Sequence, residues 1–249
     1  MKRVLRSVLA VVAATACAWA VQSQASVVIG ATRVIFPSTE REVTVRVNNV
    51  GATPSLVQTW LDTGDAGASP DKIDVPFTLT PAMFRLDPGK GQTMRMIYSK
   101  TPLATDKETL FWLNVLEIPP KPKAEDAGGT PNQLQLAFRS RIKVFFRPQG
   151  LPGKPEEAPA QVKWQVVHNP DGYHLKATNP TPYFVNFGSL ALVSGGQTVD
   201  AGPGYVAPGE SQEFAVPGLK GSPQPGAKVE FRAINDFGAG VQNEATLTN

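Results

Sequence analysis

Short runs of alternating apolar and polar residues, each closed by a turn signal, dominate this chain. Val43-Thr44-Val45-Arg46-Val47 is the clearest of them. A period of two puts one set of side chains on a buried face and the other in water, which specifies a strand covered on one side. Runs of this kind, rich in Val, Ile, Leu, Phe and Thr, fall at 27–36, 42–48, 56–61, 77–79, 93–98, 110–117 and 134–146. Asn48-Asn49-Val50-Gly51, Gly64-Asp65-Ala66-Gly67 and Asp87-Pro88-Gly89-Lys90-Gly91 punctuate them. The 23 Pro and 22 Gly suit many short elements and leave little room for long helices. Seven short strands of this spacing predict an antiparallel sandwich of immunoglobulin type.

Pro148, Gly150, Pro152 and Gly153 then break helix and strand alike. The pattern resumes at 162–167, 173–178, 183–193, 211–216, 228–235 and 241–248, with turns at Asn169-Pro170-Asp171-Gly172 and Ser194-Gly195-Gly196. The chain therefore reads as all-β, with one sandwich over 26–148, a linker over 149–160 and a second sandwich over 161–249. The polar stretch 121–132 reads as a loop between two long strands.

Residues 1–25 have a different character. Lys2, Arg3 and Arg6 precede a short apolar run, 8–20, and small residues follow, which is the layout of a secretory signal peptide. The run is shorter than the ~20 residues a membrane helix needs. Cleavage after Ala20 or after Ala25 fits the small-residue rule, and Ala25 is preferred, with Ser26 as the first mature residue. Lipid attachment at Cys17 is the weaker reading, because Ala14-Thr15-Ala16 lacks a large apolar residue. The formal charge of +3 comes from 24 Lys and Arg against 21 Asp and Glu. Removal of 1–25 takes three cations and no anion, leaving 21 of each, so the mature chain has no electrostatic footprint for nucleic acid. The only Cys leaves as well. An exported protein without a disulfide follows, and the periplasm is the expected compartment.

The remaining inventory is poor in catalytic chemistry. Without Cys there is no thiol catalysis and no thiolate metal site. His168 and His174 flank one turn and read as two surface residues rather than as metal ligands. No nucleophile elbow and no phosphate-binding glycine loop accompanies them. A binding module is expected, with no enzymatic activity and no cofactor.

Two features point to what is bound. Leu134 to Phe146 is too long for a small sandwich, at ~3.3 Å per residue. Leu134, Leu136 and Phe138 share parity with Ile142 and Val144. They are either core or the projecting half of an edge strand that pairs with a partner. Arg33 interrupts an uncharged run and Lys143 sits between Ile142 and Val144. Each alone reads as solvent-facing. Together, from the first and last strands of one sandwich, they would hold a carboxylate.

The chain resembles the periplasmic chaperones of the chaperone–usher pilus pathway, the PapD-like family. The resemblance rests on Thr32-Arg33-Val34-Ile35-Phe36, Arg85-Leu86-Asp87-Pro88-Gly89, the segment 110–120 ending in Ile118-Pro119-Pro120, and Ile142-Lys143-Val144-Phe145-Phe146-Arg147-Pro148. Asn179-Pro180-Thr181-Pro182-Tyr183 and Ile234-Asn235-Asp236-Phe237-Gly238 extend it through the second half. It implies two immunoglobulin-like domains set as an L around a cleft, and a chaperone that complements pilus subunits with its own strand and delivers them to an outer-membrane usher. It implies that Arg33 and Lys143, with Thr32 beside them, anchor the subunit's C-terminal carboxylate. Leu134, Leu136 and Phe138 would fill the subunit's groove. Glu108, Arg147 and Asp236 would form a charged network between the domains. The loop and the absence of a disulfide suggest the short-loop branch. The alternative is an exported two-sandwich adhesin or carbohydrate-binding protein. Self-association of the free chain is a further expectation.

Overall fold

The structure is a computed structural model and describes residues 26–121 and 135–248. The expected signal segment, Leu134 and most of the 121–132 loop lie outside the described residues. The first sandwich packs two sheets. One has the order β1-β3-β7-β5, from Val27–Ile29 (β1), Glu42–Asn49 (β3), Phe77–Thr80 (β5) and Gly91–Tyr98 (β7). The other has the order β2-β9-β8-β4-β6, from Arg33–Pro37 (β2), Ser55–Asp62 (β4), Met83–Leu86 (β6), Thr109–Ile118 (β8) and Phe138–Arg147 (β9). Val45, Val47, Met94 and Met96 of the first sheet meet Phe36, Val57, Leu113 and Val144 of the second in one core. Those residues are the buried half of the alternation, and full burial of each such side chain contributes ~1.5–3 kcal/mol.

The run expected as one strand over 27–36 is two strands in different sheets. β1 pairs with β3, and β2 pairs in parallel with β9. The crossing happens at Gly30-Ala31-Thr32. The Gly30 N–H bonds to the Arg46 carbonyl at 2.8 Å, and a Cβ on Gly30 would stand 3.2 Å from that oxygen. The strand expected from residue 134 begins, within the described residues, at Phe138.

The second sandwich sets Lys163–Asn169 (β10), Gly172–Thr178 (β11) and Ser211–Ala215 (β15) against a sheet of Gln197–Asp200 (β13), Val185–Ser194 (β12), Lys228–Ile234 (β16) and Gly240–Thr246 (β17), with Gly204–Val206 (β14) also on β12. Trp164, Leu175, Leu190, Leu192, Val229 and Phe231 form its core. A short helix, Ala158–Gln161 (α1), spans the end of the expected linker, and its Ala158 is buried in this second core. Asn179, fully buried, donates its Nδ2 to the carbonyls of Tyr183 (2.7 Å), Ala207 (3.2 Å) and Val206 (3.4 Å) and accepts the Thr181 N–H and hydroxyl. Among the described residues no helix is long and apolar enough to cross a membrane.

The expectation of two surface histidines needs correction. His168 is exposed, but His174 is 9% exposed. In the β10–β11 register His168 pairs with Tyr173 and His174 with Val167, so the two imidazoles occupy opposite faces of the sheet. They cannot share a ligand.

Candidate functional site

The parallel pairing of β2 with β9 places Arg33 opposite Lys143, Ile35 opposite Phe145 and Pro37 opposite Arg147. Val34, Phe36, Val144 and Phe146 point into the first core. Alternation therefore turns Arg33, Lys143 and Arg147 outward in one row. This row faces the second sandwich across a cleft of about 490 Å³, lined in part by Arg33, Phe145, Phe184, Asn186, Ile234 and Asp236.

The two cations that sequence reasoning singled out are neighbours without an anion. The Arg33 guanidinium donates Nη1–H to the Ile234 carbonyl at 3.1 Å, and its buried Nε has no partner among the described residues. Lys143 Nζ donates to Asn186 Oδ1 at 2.5 Å and lies 4.0 Å from the Tyr205 ring centroid and 5.5 Å from that of Trp112. Neither forms an ion pair with a carboxylate among the described residues. Burial first, and then the charge of Arg33, lower the Lys143 ammonium to about 8. Burial likewise lowers Arg33, while Asp236 partly offsets it. Two half-buried cations side by side oppose each other, and a carboxylate placed between them removes that opposition. Thr32 lies against the second sandwich, where a Cβ on Gly238 would fall within contact of its hydroxyl.

Glu108, Arg147 and Asp236 are in contact. Arg147 donates to Glu108 Oε1 at 2.6 Å and forks onto both Asp236 oxygens at 2.6 and 2.9 Å. The second oxygen of Glu108, which is 4% exposed, accepts the Phe184 N–H at 2.7 Å. Burial raises the Glu108 carboxyl against the pull of Arg147. Burial of Arg147 is outweighed by Asp236 and Glu108, which hold its guanidinium above the ordinary value. Carboxylates from both sandwiches thus converge on one guanidinium.

The other half of β9 has a free edge. β8 covers β9 on one side from Phe138 to Phe146, whereas β2 covers the other side only from Lys143 to Arg147. Phe138–Ile142 therefore presents backbone donors and acceptors with no strand partner among the described residues. Leu136 is 50% and Phe138 36% exposed. Both stand apart from the core of the first sandwich.

Sequence reasoning missed the surroundings of these groups. Asn186 and Tyr205 come to Lys143 from the second sandwich and carry no local signal. On the outer face Arg141 sits on Trp112, 4.4 Å to the centroid, and pairs with the buried Asp62, which also accepts Asn114 Nδ2 at 2.7 Å. Burial opposes the Asp62 charge, but those hydrogen bonds outweigh it and lower its pKa.

A two-sandwich protein with a cationic cleft and an open strand edge is a binding and complementing module. Family models place it further. Residues 26–152 match the model described as pili and flagellar-assembly chaperone, PapD N-terminal domain, and residues 157–245 match pili assembly chaperone PapD, C-terminal domain. The chain belongs to the PapD-like family of pilus-assembly chaperones. It is 46% identical over 234 residues to a probable fimbrial chaperone, YadV, of Escherichia coli K12, covering 94% of each chain. The crystal structure of a YadV chaperone superposes with a TM-score of 0.76 at 43% identity, covering 89% of this chain and 99% of that one. A Salmonella enterica SafB chaperone, solved in complex with SafA pilin, gives 0.73 at 30% identity, covering 91% and 99%.

Proposed function

We propose that the chain is exported to the periplasm with removal of residues 1–25, that it captures pilus subunits there by lending them β9, and that it hands them to an outer-membrane usher. One observation carries this reading: the uncovered edge Phe138–Ile142 continues directly into the unpaired Arg33/Lys143 cations. A subunit that lacks a strand has an apolar groove and unpaired edges, which aggregate. The β9 edge supplies backbone hydrogen bonds without sequence demands, and Leu136, Phe138 and, outside the described residues, Leu134 supply apolar bulk. Arg33 and Lys143, with Thr32 alongside, take the subunit's terminal carboxylate. Glu108, Arg147 and Asp236 fix the angle between the sandwiches. The SafB–SafA complex supports a pilin as the partner class.

The test is co-expression with a subunit from the same organism. Wild type is expected to co-purify the subunit. Arg33→Ala and Lys143→Ala are expected to fold, by circular dichroism, and to yield none. Normal recovery with both variants would remove the carboxylate clamp from the mechanism.

A further inference from the structure

Glu117, near the end of β8, is a buried anion without a cation. It is 6% exposed, and no Lys, Arg or His side chain pairs with it among the described residues. Its donors are neutral and nearly all come from one place. Oε2 accepts the N–H groups of Ser26 and Val27, each at 3.0 Å. Oε1 accepts the Ser55 hydroxyl at 3.0 Å and the Ser26 hydroxyl as well. The niche is fitted to residue 26. The Val50 N–H holds the Ser26 carbonyl at 2.8 Å, and a Cβ on Gly51 would lie 2.4 Å from the Ser26 Cβ. Neutral donors solvate a buried carboxylate but leave its charge uncompensated.

We propose that this niche is the seat of the α-ammonium group created when the signal is cut between Ala25 and Ser26, so that processing adds an ion pair with Glu117 to the folded domain. The inference rests on the reading of residues 1–25 as a removed signal. Hydrolysis of the Ala25–Ser26 amide consumes one water. It leaves a carboxylate on Ala25 and, at neutral pH, an ammonium on Ser26. That nitrogen already stands at hydrogen-bond distance from Glu117. Before the cut it offers Glu117 an amide dipole, and after it a full charge, which makes the bond charge-assisted. Cleavage after Ala20 instead would leave five residues ahead of Ser26 and no charge at the niche. The gain falls where capture begins. Ser26 leads into β1 of one sheet, Glu117 belongs to β8 of the other, and Glu117 is the register partner of Phe138. The ion pair therefore ties the two sheets together at the root of the open edge.

Intact mass of the protein recovered from the periplasm separates the proposal from the reading beneath it. A chain beginning at Ser26 is expected. A chain beginning at Val21 keeps the signal reading and overturns the proposal, while an unprocessed chain overturns the signal reading itself. The ion pair is then measured by urea denaturation of the chain beginning at Ser26, with its terminus free or Nα-acetylated, and with Glu117 or Glu117→Gln. Acetylation is expected to raise the unfolding equilibrium constant by about tenfold with Glu117 in place, and by less than about twofold with Gln. An equal effect in the two backgrounds overturns the proposal. Should Glu117→Gln fail to fold, the acetylation comparison with Glu117 decides alone, and a change below about twofold overturns it.

Discussion

Replacing Lys143 by Met separates the stability of this fold from its capacity to bind. Burial and the neighbouring Arg33 bring the Lys143 ammonium from 10.5 down to about 8 in the free protein. Unfolding returns the group to ~10.4. The folded pKa is the lower of the two, so between pH 8 and ~10.4 the unfolded chain holds more protons than the folded one. Stability therefore rises with pH through that window, and the penalty for the buried ammonium is fully present below pH 8. At ~1.36 kcal/mol per unit, raising the pH from 7 to 9.5 relieves about 2 kcal/mol. Lys143→Met lacks this contribution. The other groups around the site, Arg33, Asn186, Trp112 and Tyr205, are common to both proteins and cancel in the difference. Paired urea titrations at pH 7, 8, 9 and 9.5 are expected to show wild type gaining about 2 kcal/mol on the variant. Parallel pH profiles would refute the reasoning. Capture has the opposite dependence. A carboxylate restores the ammonium, so subunit affinity measured by calorimetry is expected to fall by up to about tenfold per unit above pH 8. In Lys143→Met the affinity is weak and flat with pH.

Other perturbations test the remaining parts. Leu136→Asp and Phe138→Ser, both at exposed positions, are expected to leave thermal stability within ~0.5 kcal/mol and to weaken subunit capture by roughly 1.5–3 kcal/mol each, read by calorimetry. Arg147→Met strands the buried Glu108 without its cation and is expected to destabilise the protein by about 3–5 kcal/mol in urea titrations. Glu108→Gln in the same background is expected to recover much of the loss. Asn179→Ala leaves three carbonyls of the second sandwich without their donor and is expected to cost about 2–3 kcal/mol, with the first sandwich unfolding at its usual midpoint.

Period-two patterning located most strands because each sandwich buries one face of every sheet. It also placed Arg33 and Lys143, because a cation breaks an apolar run visibly. The split of the 27–36 run escaped it, since β1 and β2 are equally apolar and only their partners differ. Met83–Leu86 escaped as well, because it is short and the apolar Met83 stands on its exposed face, which hides the alternation of its burial. His174 departs from the surface expectation because it is buried at 9% exposure, which its place beside a turn does not reveal. Asn186 and Tyr205 were invisible for a related reason: their role at Lys143 depends on where a second sandwich docks, which no local pattern encodes. The Glu108–Arg147–Asp236 contact was reached only through family resemblance, since its members are spread over much of the chain.

In the proposed mechanism the open edge of β9 and the cation pair, Lys143 on β9 and Arg33 beside it on β2, divide the work. Backbone pairing along Phe138–Ile142 accepts any sequence and therefore any register. A slip by one residue would turn the apolar set away from the subunit's groove and present Arg139 and Arg141 to it. In the proposed clamp the cation pair would remove that freedom. Lys143 lies five residues from Phe138, ~17 Å along the strand, so a carboxylate held at Arg33 and Lys143 fixes which subunit residue faces each apolar side chain. The pair can do this only while it has no internal anion. Had Asp236 been placed to satisfy Arg33 as it satisfies Arg147, the fold would be more stable and the register signal lost. In the proposed clamp, the depressed Lys143 ammonium and the Arg33 Nε that has no partner among the described residues are the local instability that a subunit's terminus would relieve.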